Sequence, residues 1–308
     1  PFQQAGWGFF FLGSAAVMPR PDLNKELDDS QLTGTVKLAY HPNDNTLTYA
    51  SFATGYKAGG TNTDRILPSL SPLFDAEKSR SAEIGIKHDF EEYGVRVNAA
   101  AHYTQISDFQ ATTFTGTGFN LQNAGDIIVK GIELEATWLM TESTELHAVA
   151  SRTLANFDEF KRGTCWVAYT WHTGIDDPGR VEPNDPFCSR DDDRVGFEPQ
   201  NSLSLMLNHY FEVGNYPASA SIDYQYTGDV FLDDANDPYK YADDFSLFNV
   251  RVSFTIPQWD SEIIAWSRNV FDEEYVARSG FDVPVQTGKI MAYPGAPRSF
   301  GVTFRKSF

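Results

Sequence analysis

Polar and apolar residues alternate one by one through most of the chain, and this alternation constrains the fold more than any other feature. From residue 132 to residue 138 the chain reads Ile-Glu-Leu-Glu-Ala-Thr-Trp, so Glu133 and Glu135 share one face and Trp138 lies on the other. A period of two is that of a β-strand whose two faces meet different surroundings. Two carboxylates opposite a tryptophan fit a wall with lipid on one side and water on the other, and not a soluble sandwich core.

The end of the chain repeats this pattern. Residues 299–308 read Ser-Phe-Gly-Val-Thr-Phe-Arg-Lys-Ser-Phe, which places apolar side chains on one face, with Lys306 as the exception. A final strand that ends on an aromatic residue, here Phe308, is typical of the closing strand of a bacterial outer-membrane barrel. We expect Lys306 to lie at the membrane rim, where a long side chain reaches water.

Alternating segments recur along the chain, separated by gaps that are short and long in turn. Short turns are predicted at residues 42–45, 91–94, 141–144, 212–215 and 258–259, and the longest gap spans residues 158–197. This spacing gives about 11 strands from Thr35 onward, and residues 1–18 offer a twelfth. Short turns at one end and long loops at the other predict an all-β, transmembrane antiparallel β-barrel.

Composition argues against two other classes of protein. The net charge is −18, from 24 basic and 42 acidic residues, whereas nucleic-acid binding needs a basic face. The longest apolar run, from Phe9 to Met18, is shorter than the roughly 20 residues of a transmembrane helix. Acidic residues gather at positions 191–193, 233–237 and 243–244, where we predict solvated loops, with divalent-cation binding as the alternative.

Sequence motifs for catalysis are missing. The chain contains no G-x-S-x-G, no H-E-x-x-H and no phosphate-binding P-loop. Its six histidines are scattered, which favours structural roles over metal ligation. Glu133 and Glu135 are better explained as side chains of a solvated interior than as a glycosidase pair. We therefore predict no catalytic residue, no metal ion and no cofactor.

The longest gap holds both cysteines, Cys165 and Cys188, and a group of aromatic residues. An even pair of cysteines in an exported protein predicts a disulfide bond, with two unpaired thiols as the alternative. Such aromatic residues on an exposed loop predict a stacking surface for a planar ligand, such as a catecholate chelate or a sugar. The alternative is a cluster that packs on itself. The candidate ligand-binding residues are Trp166, Tyr169, Trp171 and His172.

Five segments resemble, in order, motifs of the TonB-dependent outer-membrane receptors, and the resemblance covers roughly residues 33–308. The segments are Tyr-Ala-Ser-Phe-Ala-Thr-Gly-Tyr-Lys-Ala-Gly-Gly at 49–60, Ser-Ala-Glu-Ile-Gly-Ile-Lys at 81–87, Gly-Ile-Glu-Leu-Glu at 131–135, Asn-Val-Phe-Asp-Glu-Glu-Tyr at 269–275 and Gly-Ala-Pro-Arg at 295–298. The resemblance implies energy-coupled uptake across the outer membrane of a Gram-negative bacterium. The receptors for ferric siderophores are the most similar.

That family combines an N-terminal plug domain, a TonB-binding box and a barrel of 22 strands. We expect residues 1–308 to be the C-terminal portion, with 11–12 strands forming about half of the barrel and with the plug domain absent. The resemblance implies three partners: outer-membrane lipid, a ferric siderophore or similar small ligand, and TonB through the missing N-terminal region. A passive porin-like channel and a surface-binding or adhesin barrel remain alternative functions.

Overall fold

The protein is described by a computed structural model that covers residues 24–62, 71–114, 119–183, 185, 187–282 and 288–307. Two sequence-based expectations, a strand within residues 1–18 and the closing role of Phe308, lie outside these ranges. No helix in the described part of the chain is both long enough and apolar enough to cross a membrane.

Eleven strands form one antiparallel sheet in which each strand pairs with its neighbours along the chain, so the predicted fold class is confirmed. The sheet contains the long strands, whereas the strands of two to seven residues that lie between them form five separate hairpins. In chain order, the strands are β1 (Gly34–Asn43), β2 (Thr46–Lys57), β3 (Gly60–Thr61), β4 (Leu73–Phe74), β5 (Glu77–Phe90), β6 (Val95–Ser107), β7 (Gln110–Phe114), β8 (Phe119–Asn123), β9 (Asp126–Thr141), β10 (Thr144–Glu159), β11 (Gly163–Thr164), β12 (Phe187–Cys188), β13 (Asn201–Val213), β14 (Tyr216–Thr227), β15 (Val230–Phe231), β16 (Tyr241–Ala242), β17 (Phe245–Ile256), β18 (Ser261–Arg268), β19 (Val276–Asp282), β20 (Ile290–Pro294) and β21 (Ser299–Lys306).

Short turns lie at one end of the sheet and long loops at the other. We name the long loops L1 (58–76), L2 (108–125), L3 (160–200), L4 (228–244) and L5 (269–298), and each contains one of the five hairpins. L3 also contains the helix α1 (Ala168–Thr173). Three 3₁₀ turns complete the described elements, at Glu91–Tyr93, Pro238–Lys240 and Pro257–Trp259. The sequence does not predict the hairpin in L3, because strands of two residues are too short to show a period.

The sheet has two chemically different faces. On the apolar face, large hydrophobic side chains are exposed, among them Val36 (74%) and Leu38 (73%). The strand register continues this face across the sheet, because Leu38 lies opposite Ala50, which lies opposite Ile84. Soluble proteins rarely expose a continuous apolar surface of this kind, whereas a transmembrane β-sheet exposes one to lipid.

The polar face carries hydrogen bonds between neighbouring strands. Tyr49 donates to Glu83 Oε1 at 2.8 Å, and Asn98 donates to Glu135 Oε2 at 2.9 Å. The register places Glu133 on this face as well, opposite Ser151. The predicted separation of the two glutamates from the apolar side chains is therefore present in the structure.

Aromatic residues on the apolar face form two bands. One lies near the short turns and the other near the long loops, which is how tyrosine and tryptophan mark the two interfaces of a bilayer. The lower band contains Tyr40, Phe90, Trp138, Phe211 and Phe304, and the upper band contains Tyr56, Tyr103 and Tyr226.

The buried hydrophobic core of the described residues lies beneath the long loops and not within the sheet. Phe157 (1% exposed) and Phe160 (3%) pack with Ile127, Ala111 and Ala124 where L2 and L3 leave the strands. Phe157 and Phe160 have ring centroids 4.9 Å apart. This cluster fixes the bases of two loops relative to each other.

One strand prediction needs correction. The sequence pattern predicts a single strand from Ser261 to Tyr275, but β18 ends at Arg268, because Asn269 adopts a left-handed backbone with φ of 48°. Residues 145–157 have the weakest alternation, yet β10 is a strand of 16 residues. Its pairing with both β9 and β13 decides its conformation where the sequence pattern does not.

The sheet has two edges in the described residues. There β1 pairs only with β2, and β21 pairs only with β18. All ten residues of β1 are exposed. Unpaired strand edges are costly in lipid, because their N–H and C=O groups have no water to bind. That these edges join further strands of a 22-stranded barrel remains a prediction. Lys306, at the end of β21, donates to the Trp259 carbonyl oxygen at 3.1 Å in a short turn.

Candidate ligand-binding surface on the long loops

A buried ion network joins L3 to L4. The Arg190 side chain is 2% exposed and forms ion pairs with Asp177 and, at 3.1 Å, with Asp193. Its Nη1 also donates to the Ala235 carbonyl oxygen at 2.7 Å, which connects the two loops. A guanidinium suits this position because its planar set of donors serves several acceptors at once. No feature of the sequence singles out Arg190, because its partners Asp177 and Ala235 lie 13 and 45 residues away in the chain.

The helix α1 is held in place by a carboxylate from the neighbouring loop. Asp237 is fully buried, and its Oδ2 accepts hydrogen bonds from the backbone N–H groups of Ala168 at 2.9 Å and Tyr169 at 3.2 Å. These N–H groups at the start of the helix would otherwise lack an acceptor. Asp237 is therefore a structural residue and not the solvated one that its acidic surroundings predict.

A disulfide bond joins Cys165 and Cys188 beside this network. Cys188 is 1% exposed and lies in the hairpin β11–β12, while Cys165 precedes α1. Asp177 lies close to both sulfur atoms. This group is a poor candidate for a metal centre, since the sulfurs are bonded to each other and Asp177 pairs with Arg190.

The four predicted ligand-binding residues divide into two pairs. Trp166 and Tyr169 are partly buried, with ring centroids 5.3 Å apart, and Trp166 Nε1 donates to the Ala235 carbonyl oxygen at 2.7 Å. Tyr169 in turn packs against Tyr239 of L4 at 5.6 Å. These two residues belong to the structure of the loops, which matches the alternative of a self-packed cluster.

Trp171 and His172 lie on the solvent side of α1. The Trp171 side chain is 63% exposed, and His172 is exposed as well. The His172 ring lies 4.9 Å from the Tyr239 ring, and its Nε2 is 2.8 Å from the Gly288 carbonyl oxygen of L5. Trp171, His172 and Tyr239, which we call the aromatic rim, form an accessible surface where L3, L4 and L5 meet.

Burial and ion pairs set the charges of L3 and L4. Burial raises the pKa of the Asp233 and Asp234 carboxyls, although Asp233 is also 2.9 Å from Lys240 Nζ. In contrast, a hydrogen bond from Arg194 lowers the pKa of Asp229. The acidic cluster at 233–237 thus serves contacts within the protein. Asp243 and Asp244 remain exposed.

A cavity of about 740 Å³ opens between L4 and L5. Its walls combine aromatic and acidic residues. They include Tyr241, Phe245, Tyr275, Asp243, Asp272 and Glu274. Tyr275 and Phe245 stack with centroids 4.3 Å apart.

Two of the sequence motifs come together beside this cavity. Asn269 Nδ2 donates to the carbonyl oxygens of Glu273 at 2.8 Å and Ala296 at 3.1 Å. The Arg298 N–H donates to Asp272 Oδ1 at 2.7 Å. The segments 269–275 and 295–298 therefore form one structural unit that closes the base of L5.

The sequence of residues 13–270 matches the protein family described as "TonB dependent receptor-like, beta-barrel". The chain belongs to the TonB-dependent receptor family. This family consists of outer-membrane transport receptors and not of enzymes.

Individual relatives agree with this assignment. The chain is 35% identical over 129 residues to the pesticin receptors of Yersinia enterocolitica and Yersinia pestis, an overlap that covers 41% of this chain and 18% of those proteins. Its fold resembles the ferric yersiniabactin uptake receptor FyuA from Yersinia pestis, with a TM-score of 0.69, 21% identity and coverage of 91% of this chain and 38% of that one. The siderophore receptor PiuA from Acinetobacter baumannii gives a TM-score of 0.64 at 16% identity, covering 88% of this chain and 35% of that one.

Proposed function

We propose that this chain belongs to a receptor that takes up a ferric siderophore across the bacterial outer membrane with energy supplied through TonB. The single observation that carries the proposal is the family assignment of residues 13–270. The names of two similar structures, the ferric yersiniabactin uptake receptor and the siderophore receptor PiuA, support a siderophore as ligand. Because the chain spans 38% of the length of the yersiniabactin receptor, the activity of the whole protein is part of the proposal.

The geometry gives each part of this chain a task. The apolar face and its two aromatic bands hold the wall in the bilayer. The polar face lines the interior, where Glu83, Glu135 and Arg251 contribute charge. The long loops meet the ligand first, and the ligand then passes along the polar face. Coupling to TonB requires parts of the receptor beyond this chain.

Within the loops, we assign ligand contact to the aromatic rim. Trp171 and His172 are exposed beside Tyr239, so their rings are available for a planar chelate. Trp166 and Tyr169 act indirectly, by holding α1 against L4. The disulfide between Cys165 and Cys188 keeps the helix in position.

Uptake tests the proposed function. Cells that express the intact gene and lack other siderophore receptors are given ⁵⁵Fe-labelled ferric siderophores, with and without TonB. We expect uptake of at least one siderophore that requires TonB. TonB-independent passage of small solutes would instead indicate a passive channel, and binding without passage would indicate an adhesin.

A matched pair of tryptophan variants tests the aromatic rim. Trp171 in L3 and Trp259 in a short turn are both 63% exposed, but they lie at opposite ends of the sheet. We expect Trp171→Ala to weaken binding of the transported siderophore about tenfold, in line with the loss of one stacking contact. Trp259→Ala leaves affinity unchanged. Equal affinity of both variants and wild type would exclude the aromatic rim as the contact.

A further inference from the structure

Besides Lys306 beside a short turn, four cations of the described strands lie on the apolar face, where a surface in contact with lipid should be uncharged. They are Lys78 and Arg80 of β5, Lys130 of β9 and Arg152 of β10, and all four side chains are exposed. The register fixes their orientation. Lys130 lies opposite Tyr103, which lies opposite Ala82, and Arg152 lies opposite Ile132, so each cation shares a face with apolar neighbours.

All four cations lie at a similar height. Each is eight to twelve residues from the short-turn end of its strand. With a rise of about 3.3 Å per residue and a tilt of roughly 40°, this is about 20–30 Å above the short turns, at the upper boundary of a bilayer's apolar band. Tyr56 and Tyr103 of the upper aromatic band lie at the same height.

The protein does not neutralise these cations. None of the four forms an ion pair with a residue in the described ranges, although acidic residues outnumber basic ones by 42 to 24 in the whole chain. From the short turns up to this height, β5, β6, β9 and β10 place no aspartate or glutamate on the apolar face. A cluster of unpaired cations at a membrane boundary is a site for an anion.

Two depressions on the same face accompany the cations. The upper one has a volume of about 300 Å³ and is polar, with Lys78, Arg80, Thr54 and Gln105 in its lining. The lower one has a volume of about 760 Å³ and is apolar, and Arg152 stands at its edge. Small side chains open the lower depression between larger ones. It is lined by Ala99, Ala101, Ala150, Ile84, Ile86 and Leu134.

We propose that this surface binds a phosphorylated, multiply acylated glycolipid of the outer leaflet. Phosphates of its head group pair with Lys78, Arg80, Lys130 and Arg152, and an acyl chain lies in the depression lined by Ala99, Ala101 and Ala150. The cations extend over four adjacent strands, roughly 15 Å, which suits a head group with more than one phosphate. The inference rests on the proposed function only in placing the apolar face in the outer membrane. It does not depend on the transported ligand.

The test compares two sets of four substitutions in the protein purified from outer membranes. The lipid-site variant carries Lys78→Gln, Arg80→Gln, Lys130→Gln and Arg152→Gln. The control variant loses the same charge from the polar face, through Lys37→Gln, Lys87→Gln, Arg251→Gln and Arg268→Gln. Lipopolysaccharide that stays bound through purification is measured by mass spectrometry. We expect bound lipopolysaccharide to fall about tenfold or more in the lipid-site variant, since each cation at an anionic surface contributes to binding. The control variant should retain it.

Two further measurements show which molecule supplies the anion and whether a loss of binding is caused by misfolding. Delipidated protein should bind lipopolysaccharide with two head-group phosphates, and should bind dephosphorylated lipopolysaccharide or inorganic phosphate at least tenfold more weakly. A variant that keeps all charges, Ala101→Phe with Ala150→Phe, should also lose affinity for the acylated lipid because it fills the depression. Resistance to proteinase K, whose cleavage does not require lysine or arginine, shows that each variant is folded.

Equal retention by folded lipid-site and control variants would overturn the proposal, as would equal binding of the dephosphorylated lipid. Siderophore uptake is measured on the wild-type protein, since the control variant changes Arg251 on the proposed path of the ligand. Charge-dependent lipid retention without wild-type uptake would reject the proposed function and leave the lipid site standing. Wild-type uptake without charge-dependent lipid retention would reject the lipid site and leave the proposed function standing.

Discussion

At the scale of the residue, Arg190 is the side chain on which the loops depend most. It is buried against Asp177 and Asp193, and its loss would leave the buried Asp177 carboxylate with backbone hydrogen bonds but without its cation. Removing one member of a buried ion pair costs about 3–5 kcal/mol. We therefore expect Arg190→Met to open L3 and L4, seen as faster hydrogen exchange and proteolysis in residues 160–200 and 228–244.

The exposed ion pair between Lys161 and Glu159 provides the control for this prediction. Both side chains are more than half exposed, at 69% and 60%. Exposed pairs contribute little, so Lys161→Met should leave the protection of both loops unchanged. If Arg190→Met also left it unchanged, the buried network would not be what joins L3 to L4.

Two aspartates of L4 should respond to pH in opposite ways. Burial raises the pKa of Asp234, so its charged form is disfavoured in the fold, and Asp234→Asn should stabilise L4 at neutral pH. That gain should disappear as the pH falls through the raised pKa, because the wild-type carboxyl is then protonated. The hydrogen bond from Gly196 N to Oδ1, at 2.9 Å, is available to asparagine as well.

Replacing Asp229 should change the stability of L4 in the opposite direction. The hydrogen bond from Arg194 lowers its pKa, so its carboxylate stabilises the fold above the ordinary pKa of an aspartate. Asp229→Asn should therefore destabilise L4 at neutral pH, and the difference should fade as the pH drops through the lowered pKa. Hydrogen exchange of residues 228–244 across pH measures both variants, and effects of the same sign would contradict the assignment.

At the scale of the element, the base of L5 depends on one glycine. A Cβ atom on Gly295 would overlap the ring of Tyr275, which stacks on Phe245. We expect Gly295→Ala to cost about 1–3 kcal/mol, as overpacking does, and to expose residues 269–275 to exchange. Gly34→Ala is the control, since a Cβ there meets no atom within 4 Å. Equal effects of the two substitutions would show that the contact with Tyr275 is unimportant.

At the scale of the whole molecule, the two faces of the sheet should tolerate charge differently. Leu134, on the apolar face, is 49% exposed, and its neighbour Glu135 lies on the polar face. In lipid, an arginine at the depth of Leu134 costs about 2–4 kcal/mol, whereas an arginine in a solvated interior costs little. Leu134→Arg should therefore reduce folding into vesicles, measured by urea titration, much more than Glu135→Arg does. Similar effects would argue that the apolar face is not in lipid.

Much of the architecture is determined by the sequence alone. The alternation of apolar and polar residues gave the 11 strands, the assignment of Glu133 and Glu135 to the polar face, and the order of short turns and long loops. These features are local, because a side chain's face follows from whether its position in the strand is odd or even. The five motifs indicated the TonB-dependent receptor family, and the family match over residues 13–270 confirms that prediction.

Only the tertiary structure decided which loop residues pack against each other and which remain exposed. It separated Trp166 and Tyr169, which pack between loops, from Trp171 and His172, which face solvent. It also brought Arg190 to Asp177, Asp237 to α1, and the four cations of the apolar face to one height. The physical reason is that these contacts join residues far apart in the chain, where no sequence period operates. The sequence determines the chemistry of each side chain, but the partners of that side chain depend on which strands and loops become neighbours in the fold.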